Sequence, residues 1–232
     1  MAGPGRHPAV PVRPMMPPGR LIVHDAIDST QDEARRLLAA GEAGPVWIMA
    51  HAQTAGRGRG GRRWVSPPGN LHLSLLMRPG VEARRWPELS LLAALAAHKA
   101  LARLCVWAGR DDVRDALRLK WPNDVLLHGR KLAGLVLEGV DDAVIIGWGV
   151  NLAHAPPDDA VRWPATALCD TGVTATPEQL FPVLRETFRR WHEVWRDFGF
   201  ANTRKAWLKR AWGLGERLTM RVGDETLTGT FA

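Results

Sequence analysis

The segment from Gln53 to Trp64 constrains this chain most, because it places arginine and glycine between two predicted strands. Residues 56–63 hold four arginines and four glycines. Val46–His51 predicts a strand before the segment, and the alternation of apolar and polar residues over 71–75 predicts a half-buried strand after it. Arginine offers planar, permanently charged donors to phosphate and carboxylate, and glycine lets backbone approach a ligand closely. The segment is therefore predicted to be a mobile anion-binding loop.

Taken alone, this loop has other interpretations. Residues 56–61 match the pattern G-x-G-x-x-G of dinucleotide-binding turns, which requires a helix directly after the glycines. The following residues, Arg-Arg-Trp-Val-Ser-Pro-Pro-Gly, cannot begin a helix, so this interpretation is disfavoured. An arginine-glycine RNA-binding segment would normally be repeated, whereas this one occurs once. When the segment is considered alone, a solvated surface loop without a ligand is a further interpretation.

A second cluster of functional residue types lies at 120–134. The run Lys120-Trp121-Pro122-Asn123-Asp124 precedes Lys131-Leu132-Ala133-Gly134. Asp124 has the carboxylate that a Mg²⁺ ion bridging phosphate oxygens would use, and the Lys131 ammonium could project into a cleft. A surface salt bridge with an Asx turn and a solvated turn lysine are the alternatives. Glycines inside predicted strands (Gly134, Gly147 and Gly149) destabilise a strand unless another group approaches the backbone there.

The remaining sequence predicts a mixed sheet with helices, the α+β class. Further strands are predicted over 21–23, 117–121, 125–128, 132–138 and 143–150, with a tight turn at Gly129-Arg130. Helices are predicted from Asp28-Ser29-Thr30 to Gly41, from Pro87 to Trp107, from Pro177 onward and over 202–212. One apolar stripe on the third helix predicts core packing: Leu180, Leu184, Phe188, Trp191, Trp195 and Phe198.

Three segments are predicted along the chain: a flexible proline-rich tail (1–19), a catalytic domain (20–213) and a short second unit (214–232). The last segment predicts a hairpin with a turn at Gly223-Asp224. Two strands cannot form an independently stable unit. The hairpin is therefore expected to be the opening of an incomplete domain.

Composition narrows the class of protein. The net charge of +7 favours acidic partners such as nucleic acid, nucleotides or an acidic protein. Cys105 and Cys169 lack metal-site spacing and are predicted to be free thiols, and the histidines also lack such spacing. Residues 1–20 do not resemble a signal peptide, and charges interrupt the apolar stretch Leu89–Val106. The chain is expected to be soluble and cytoplasmic, with no membrane partner.

The motifs together, in this order, resemble the biotin–protein ligases over about residues 20–230. The matching residues are Asp28-Ser29-Thr30, Gln53-Thr54-Ala55-Gly56-Arg57-Gly58-Arg59, Arg63-Trp64, Lys120-Trp121-Pro122-Asn123-Asp124, Lys131-Leu132-Ala133-Gly134 and Gly147-Trp148-Gly149-Val150-Asn151. The resemblance implies a two-step reaction. Biotin and Mg·ATP form biotinyl-5′-AMP, and biotin then passes to a lysine on the biotin carboxyl carrier domain of acetyl-CoA carboxylase.

The resemblance also implies roles for particular residues. Catalysis is assigned to Lys131, Arg57 and Arg59, and a tentative Mg²⁺ ligand to Asp124. Biotin contacts are assigned to Ser29, Thr30, Gln53, Gly56, Arg57, Lys131, Gly134 and Gly147. Contacts to ATP or the adenylate are assigned to Arg57, Arg59, Trp64, Lys120, Asn123, Asp124, Lys131 and Asn151, with Trp64 stacking near adenine.

The same resemblance bears on partners. The family's DNA-binding winged helix has no counterpart before the first predicted strand, so no DNA partner is expected. Its C-terminal SH3-like domain is represented only by the opening hairpin. A homodimer is left open. The rivals are a lipoate or octanoate ligase of the same fold, a nucleic-acid-binding protein that uses the Gly-Arg loop, and a sensor that forms adenylate without transferring it.

Overall fold

The computed structural model describes residues 19–222 and 225–232. The strands are β1 (Arg20–Ile27), β2 (Val46–Gln53), β3 (Leu71–Met77), β4 (Leu117–Lys120), β5 (Asp124–Leu127), β6 (Arg130–Val140), β7 (Ala143–Val150), β8 (Arg217–Val222) and β9 (Glu225–Thr230). The helices are α1 (Thr30–Ala39), α2 (Trp86–Trp107), α3 (Asp111–Ala116), α4 (Pro177–Phe198) and α5 (Phe200–Leu208).

A seven-stranded mixed sheet organises the chain. Its order is β1-β2-β3-β7-β6-β5-β4, with β1 and β2 parallel and every other neighbouring pair antiparallel. The strands β8 and β9 form a separate antiparallel pair. The predicted α+β class with a mixed sheet is therefore confirmed.

Helices α2 and α4 cover one face of this sheet and form the main core with it. Trp47 of β2 stacks on Trp148 of β7 with ring centroids 5.7 Å apart, and Phe188 of α4 meets both rings edge-on. The helical stretch Ala83–Trp107, which contains α2, is the one helix among the described residues with the length and apolar composition of a membrane span. Here 67% of its most apolar window is buried inside the protein.

The prediction of a half-buried β3 is wrong. All seven residues of β3 are buried, including His72 and Ser74. Helix α1 lies over the second face of the sheet, and Ser74 Oγ is 2.8 Å from Thr30 Oγ1. The two faces of β3 are therefore both buried. The leucines at 71, 73 and 75 face the helical core, and Ser74 faces polar groups of α1.

Several predicted boundaries also change. The turn before β6 is His128-Gly129, with φ of 49° and 76°, and Arg130 already pairs in β6. Helix α5 begins at Phe200 rather than 202 and ends at Leu208, while α3 was not predicted. Phe198 is 72% exposed because it is the last residue of α4, beyond the packed stripe.

The two cysteines are free, as predicted, with Cys105 buried and Cys169 partly exposed. Burial lowers the pKa of His98 to about 4, so this ring is neutral inside the core.

The β8–β9 hairpin is also confirmed, although its predicted turn at Gly223-Asp224 lies outside the described residues. Gly215 N donates to Phe231 O at 2.8 Å, and the Phe231 ring packs against Trp207 of α5. The predicted domain boundaries stay predictions.

Candidate active site

A cavity of about 1320 Å³ lies on the sheet face opposite α2 and α4. Along β7, Trp148 and Val150 point into the helical core, so Gly147 and Gly149 face the other way by strand alternation. The Gly-Arg loop, the segment 160–165, Trp212 and the β8–β9 hairpin complete its walls. Most residues that the sequence singled out meet in this one cavity.

The floor of the cavity is made of glycine. Gly134 of β6 pairs with Gly149 of β7. A Cβ at Gly149 would lie 2.4 Å from Trp64 Cε2, and one at Gly134 would lie 2.9 Å from Lys131 Nζ. A Cβ at Gly147 would lie 3.0 Å from Gln31 Oε1. The close approach expected at glycines inside strands is therefore observed, and any side chain would narrow the cavity.

Lys131 places its ammonium above this floor. Its Nζ is 2.7 Å from Asp124 Oδ1 and 5.4 Å from the centroid of the Trp64 ring. The side chains of Lys131 and Asp124 are only 23% and 14% exposed. The backbone of Lys131 is held on both sides, because its N–H donates to Pro164 O and its C=O accepts from Thr166 N. Lys131 is thus a fixed cavity cation rather than a solvated turn lysine.

A second cation, Lys120, lines the same cavity. Lys120 Nζ sits 4.4 Å from the centroid of the Trp163 ring, and Trp163 meets Trp212 edge-on at 5.4 Å. Burial lowers the pKa of Lys120, while the Asp124 carboxylate acts in the opposite direction. The sequence analysis missed both tryptophans, since each stands in an irregular segment without a motif. Their aromatic character beside prolines and glycines was the available signal.

A polar cluster closes the end of the cavity under α1. Ser29 caps the helix by accepting from Asp32 N at 3.4 Å. Gln53 Oε1 accepts from Thr30 N at 2.8 Å, and its Nε2 donates to Ser66 Oγ at 2.9 Å. Gln31, which the sequence analysis also missed, contributes a buried Nε2 without a hydrogen-bond partner in the described part of the chain. An unpaired buried amide is costly, so this donor is available to a ligand carbonyl.

The Gly-Arg loop is a short hairpin rather than an extended coil. Gly58 N donates to Arg62 O at 2.6 Å and Trp64 N donates to Gly56 O at 2.8 Å. Gly60, at the tip, has a φ of 70°, a left-handed value that favours glycine. Arg59 is exposed and lines the cavity. No helix follows the loop, in agreement with the rejection of a dinucleotide turn.

Gly56 has the tightest surroundings in the loop. A Cβ there would lie 2.5 Å from Ser66 Oγ and 2.7 Å from Trp64 O. Arg57 lies next to it, half-exposed, and forms an ion pair with Asp32 of α1. The loop therefore begins where Gly56 packs tightly against Ser66 and Trp64, and the ion pair between Arg57 and Asp32 connects it to α1.

The side chains of two predicted ligand residues, Asn123 and Asn151, form hydrogen bonds within the protein. Asn123 Nδ2 donates to the Leu135 carbonyl, and Leu135 N donates back to Asn123 O at 2.9 Å. Asn151 Nδ2 donates to Thr166 O at 3.2 Å and lies 3.5 Å from Lys131 O. These amides hold the strands that carry Asp124 and Lys131. Their assignment to ATP, like that of Trp64 to adenine, stays a prediction.

The described residues were also compared with the requirements of a metal site. Among residues 19–222 and 225–232, no group of three His, Cys, Asp or Glu side chains is arranged to hold a metal ion. Asp124 is a carboxylate facing the cavity, and it is paired with Lys131.

Comparison with known proteins identifies the family. Residues 23–151 match the biotin/lipoate A/B protein ligase family. A biotin–[acetyl-CoA-carboxylase] ligase of Paracoccus denitrificans is 44% identical over 214 residues, which cover 88% of this chain and 86% of that protein. The chain belongs to the biotin/lipoate A/B protein ligase family. The resemblance drawn from the motifs and the prediction that the protein is a ligase are confirmed.

Other members of the family agree in sequence and fold. The bifunctional ligase/repressor BirA of Bacillus subtilis is 34% identical over 91% of this chain, which spans 64% of that longer protein. The biotin protein ligase from Aquifex aeolicus, solved in complex with biotin and ATP, superposes with a TM-score of 0.78 at 26% identity. That alignment covers 91% of this chain and 86% of the other. The biotin–ligase form of the α+β fold is thereby confirmed.

Proposed function

We propose that this protein is an ATP-dependent biotin–protein ligase. The observation that carries the proposal is the Lys131 ammonium, fixed over a glycine floor between Trp64 and Asp124 in the cavity described above. The biotin ligases among the relatives support biotin as the acid, and the Aquifex complex with biotin and ATP supports both substrates.

In the first half-reaction, an oxygen of the biotin carboxylate attacks the α-phosphorus of ATP. The new P–O bond forms as the bond to pyrophosphate breaks, and pyrophosphate leaves with its electron pair. Both reactants are anions, so they must be brought together against their repulsion. Lys131 supplies the central cation, and Arg57 and Arg59 add charge from the loop. Fixed charges of this kind are worth a factor of roughly 10²–10³ per donor.

The polar cluster under α1 suits the other end of biotin. The ureido ring of biotin offers one carbonyl acceptor and two N–H donors. Gln31 Nε2 is a buried donor without a partner among the described residues. Thr30 Oγ1 and Gln31 Oε1 both lie within 2.9 Å of Ser74 Oγ, and Ser29 and Thr30 line the cavity. We assign the ureido ring to this cluster, and the carboxylate end to Lys131.

In the second half-reaction, a neutral lysine amine of the acceptor attacks the acyl carbon of biotinyl-5′-AMP. An amide bond forms, the mixed-anhydride C–O bond breaks, AMP leaves and the amine loses a proton. The chain needs no nucleophile of its own for this step. The name of the Paracoccus relative points to acetyl-CoA carboxylase as the acceptor. Closure of the Gly-Arg loop would keep water from the anhydride.

Mg²⁺ fits this site as an ion that arrives with ATP. Mg²⁺ is commonly held by one or two carboxylates together with substrate phosphates and water, and Asp124 provides one carboxylate at the cavity wall. Bound there, it would neutralise phosphate charge. Asp124 also pairs with Lys131, so its loss is expected to affect both the metal and the orientation of the ammonium.

The proposal is tested by ATP–pyrophosphate exchange with this 232-residue chain, using biotin and lipoate in parallel. Biotin-dependent exchange, followed by labelling of a carrier domain, would support both half-reactions. Exchange with lipoate alone would move the protein to the lipoate branch of its family. Exchange with neither acid would contradict the proposal. Exchange with biotin but no labelling would leave a protein that forms adenylate without transferring it.

A further inference from the structure

A run of four alternating charges connects the Gly-Arg loop to the helix and sheet below it. Arg57 of the loop pairs with Asp32 in the first turn of α1. The second oxygen of Asp32 pairs with Arg35, and Arg35 pairs with Glu138 of β6. The Asp32 side chain is 17% exposed, whereas Arg57 is 49% exposed. The Asp32 carboxylate is therefore held mostly inside the protein, and the Arg57 guanidinium that pairs with it lies closer to solvent.

Within α1, Asp32 pairs with Arg35 in the same way that Glu33 pairs with Arg36. Ser29 caps the helix, and the Asp32 backbone N–H, not its carboxylate, takes part in that cap. An acidic residue in the first turn interacts favourably with the helix dipole, but the neighbouring Glu33 serves that purpose equally. Glu33 pairs with Arg36 on the same helix and does not touch the loop. What distinguishes Asp32 from Glu33 is its contact with Arg57 and, through Arg35, its link to Glu138 of β6.

The geometry leaves Arg57 able to bind a ligand while it is held. Asp32 engages only Nη2 of the guanidinium, and Nε and Nη1 have no hydrogen-bond partner among the described residues. Arg57 also lines the cavity. A guanidinium whose orientation is set in advance loses less conformational freedom when an anion binds.

We propose that Asp32 is a positioning residue that holds Arg57 at the mouth of the cavity and preorganises the loop for an acyl-adenylate. The proposal rests on the proposed function for the identity of that ligand. The tie between helix and loop, however, is a property of the protein alone and can be tested without substrate.

The first experiment measures how often the loop opens in the ligand-free protein. Trypsin cleaves after arginine, and the loop carries four of them, so the first cut is mapped by mass spectrometry for wild type, Asp32→Asn and Glu33→Gln. Loss of one ion pair is expected to speed the loop cut about fivefold in Asp32→Asn. Glu33→Gln should behave as wild type. Equal rates in all three proteins, or equal acceleration in both variants, would overturn the proposal.

The second experiment asks whether Asp32 acts through Arg57. The dissociation rate of biotinyl-5′-AMP is measured for Asp32→Asn, Arg57→Ala and the double variant, with thermal unfolding as the check on folding. Asp32→Asn should release the adenylate about fivefold faster in the wild-type background, and should add nothing once Arg57 is alanine. Additive effects would contradict positioning. If wild type binds no biotinyl-adenylate, the proposed function fails while the proteolysis result still decides the role of Asp32.

Discussion

The floor of the cavity and the loop above it are built in opposite ways. On the floor, β6 and β7 lie in the middle of the sheet, and glycines bring Trp64 and Lys131 against the backbone. In the loop, the arginines are exposed and Gly60 has open space around it. The floor therefore determines shape, because nothing there can shift without disturbing packed strands. The loop adds further positive charge to that of Lys131, because its arginine side chains reach the cavity from solvent.

Under the proposed function, this difference predicts separate roles for the two regions in the reaction. Substitutions on the floor should change which acid fits and how fast it reacts. Substitutions in the loop should change how long the charged intermediate stays bound. The two regions meet at Trp64, whose ring lies on Gly149 while its backbone closes the loop hairpin. Four substitutions test this division.

The largest effect is expected for Lys131→Ala on the floor. Removing the fixed cation should lower biotin-dependent ATP–pyrophosphate exchange by roughly 10²–10³. Arg84→Ala is the control, because Arg84 is exposed, pairs with Glu82 and lies away from the cavity lining. Normal exchange by a folded Lys131→Ala protein would remove the main catalytic assignment.

Gly149→Ala should come next. A Cβ 2.4 Å from the Trp64 ring forces the ring or the strand to move, and overpacking of this kind costs about 1–3 kcal/mol. We expect biotin binding, measured by calorimetry, to weaken by roughly tenfold. Gly139→Ala makes a matching clash, 2.8 Å from Trp86, at the far end of β6. It should lower thermal stability and leave biotin affinity unchanged. If both variants bind alike, the floor does not shape the acid site.

Arg59→Ala tests the loop. Loss of one charged hydrogen-bond donor to phosphate should speed dissociation of biotinyl-5′-AMP by about tenfold, with a smaller effect on biotin affinity. Stopped-flow release of the intermediate measures the first quantity and calorimetry the second. An Arg59→Ala protein that loses biotin affinity but keeps the intermediate would reverse the division between floor and loop.

The smallest effect is expected for Gly60→Ala. The site is open, so the cost is the left-handed φ of 70° and not a clash. That conformation costs an L-residue about 1 kcal/mol, which predicts roughly fivefold faster release of the intermediate if the loop must keep this shape. Gly60→Asn is the matched variant, because asparagine tolerates a left-handed conformation. It should restore most of the loss, and a failure to do so would indicate that the side chain itself is the problem.

The amino-acid sequence by itself was sufficient to predict those helix starts, strands and glycine positions that depend only on neighbouring residues. The start of α1 at Asp28-Ser29-Thr30, the start of α4 at Pro177, the strands around the Gly-Arg loop and the glycines in β6 and β7 all followed from patterns a few residues long. The motifs together were sufficient to predict the family. Several boundaries were wrong by one to four residues, among them the ends of β1 and α5. The start of β6 was misplaced because the turn at His128-Gly129 has a positive φ at a non-glycine residue.

Tertiary structure alone decided which residues share the cavity and what each can still bind. Gln31, Trp163 and Trp212 carry no motif, and only the arrangement of α1, β4 and the segment after β7 brings them to the site. The buried polar face of β3 depends on α1 covering it. Asn123 and Asn151 look like ligand residues in sequence but hydrogen-bond to backbone carbonyls. A motif specifies which chemical groups are present, whereas partners distant in sequence determine which of those groups remain free.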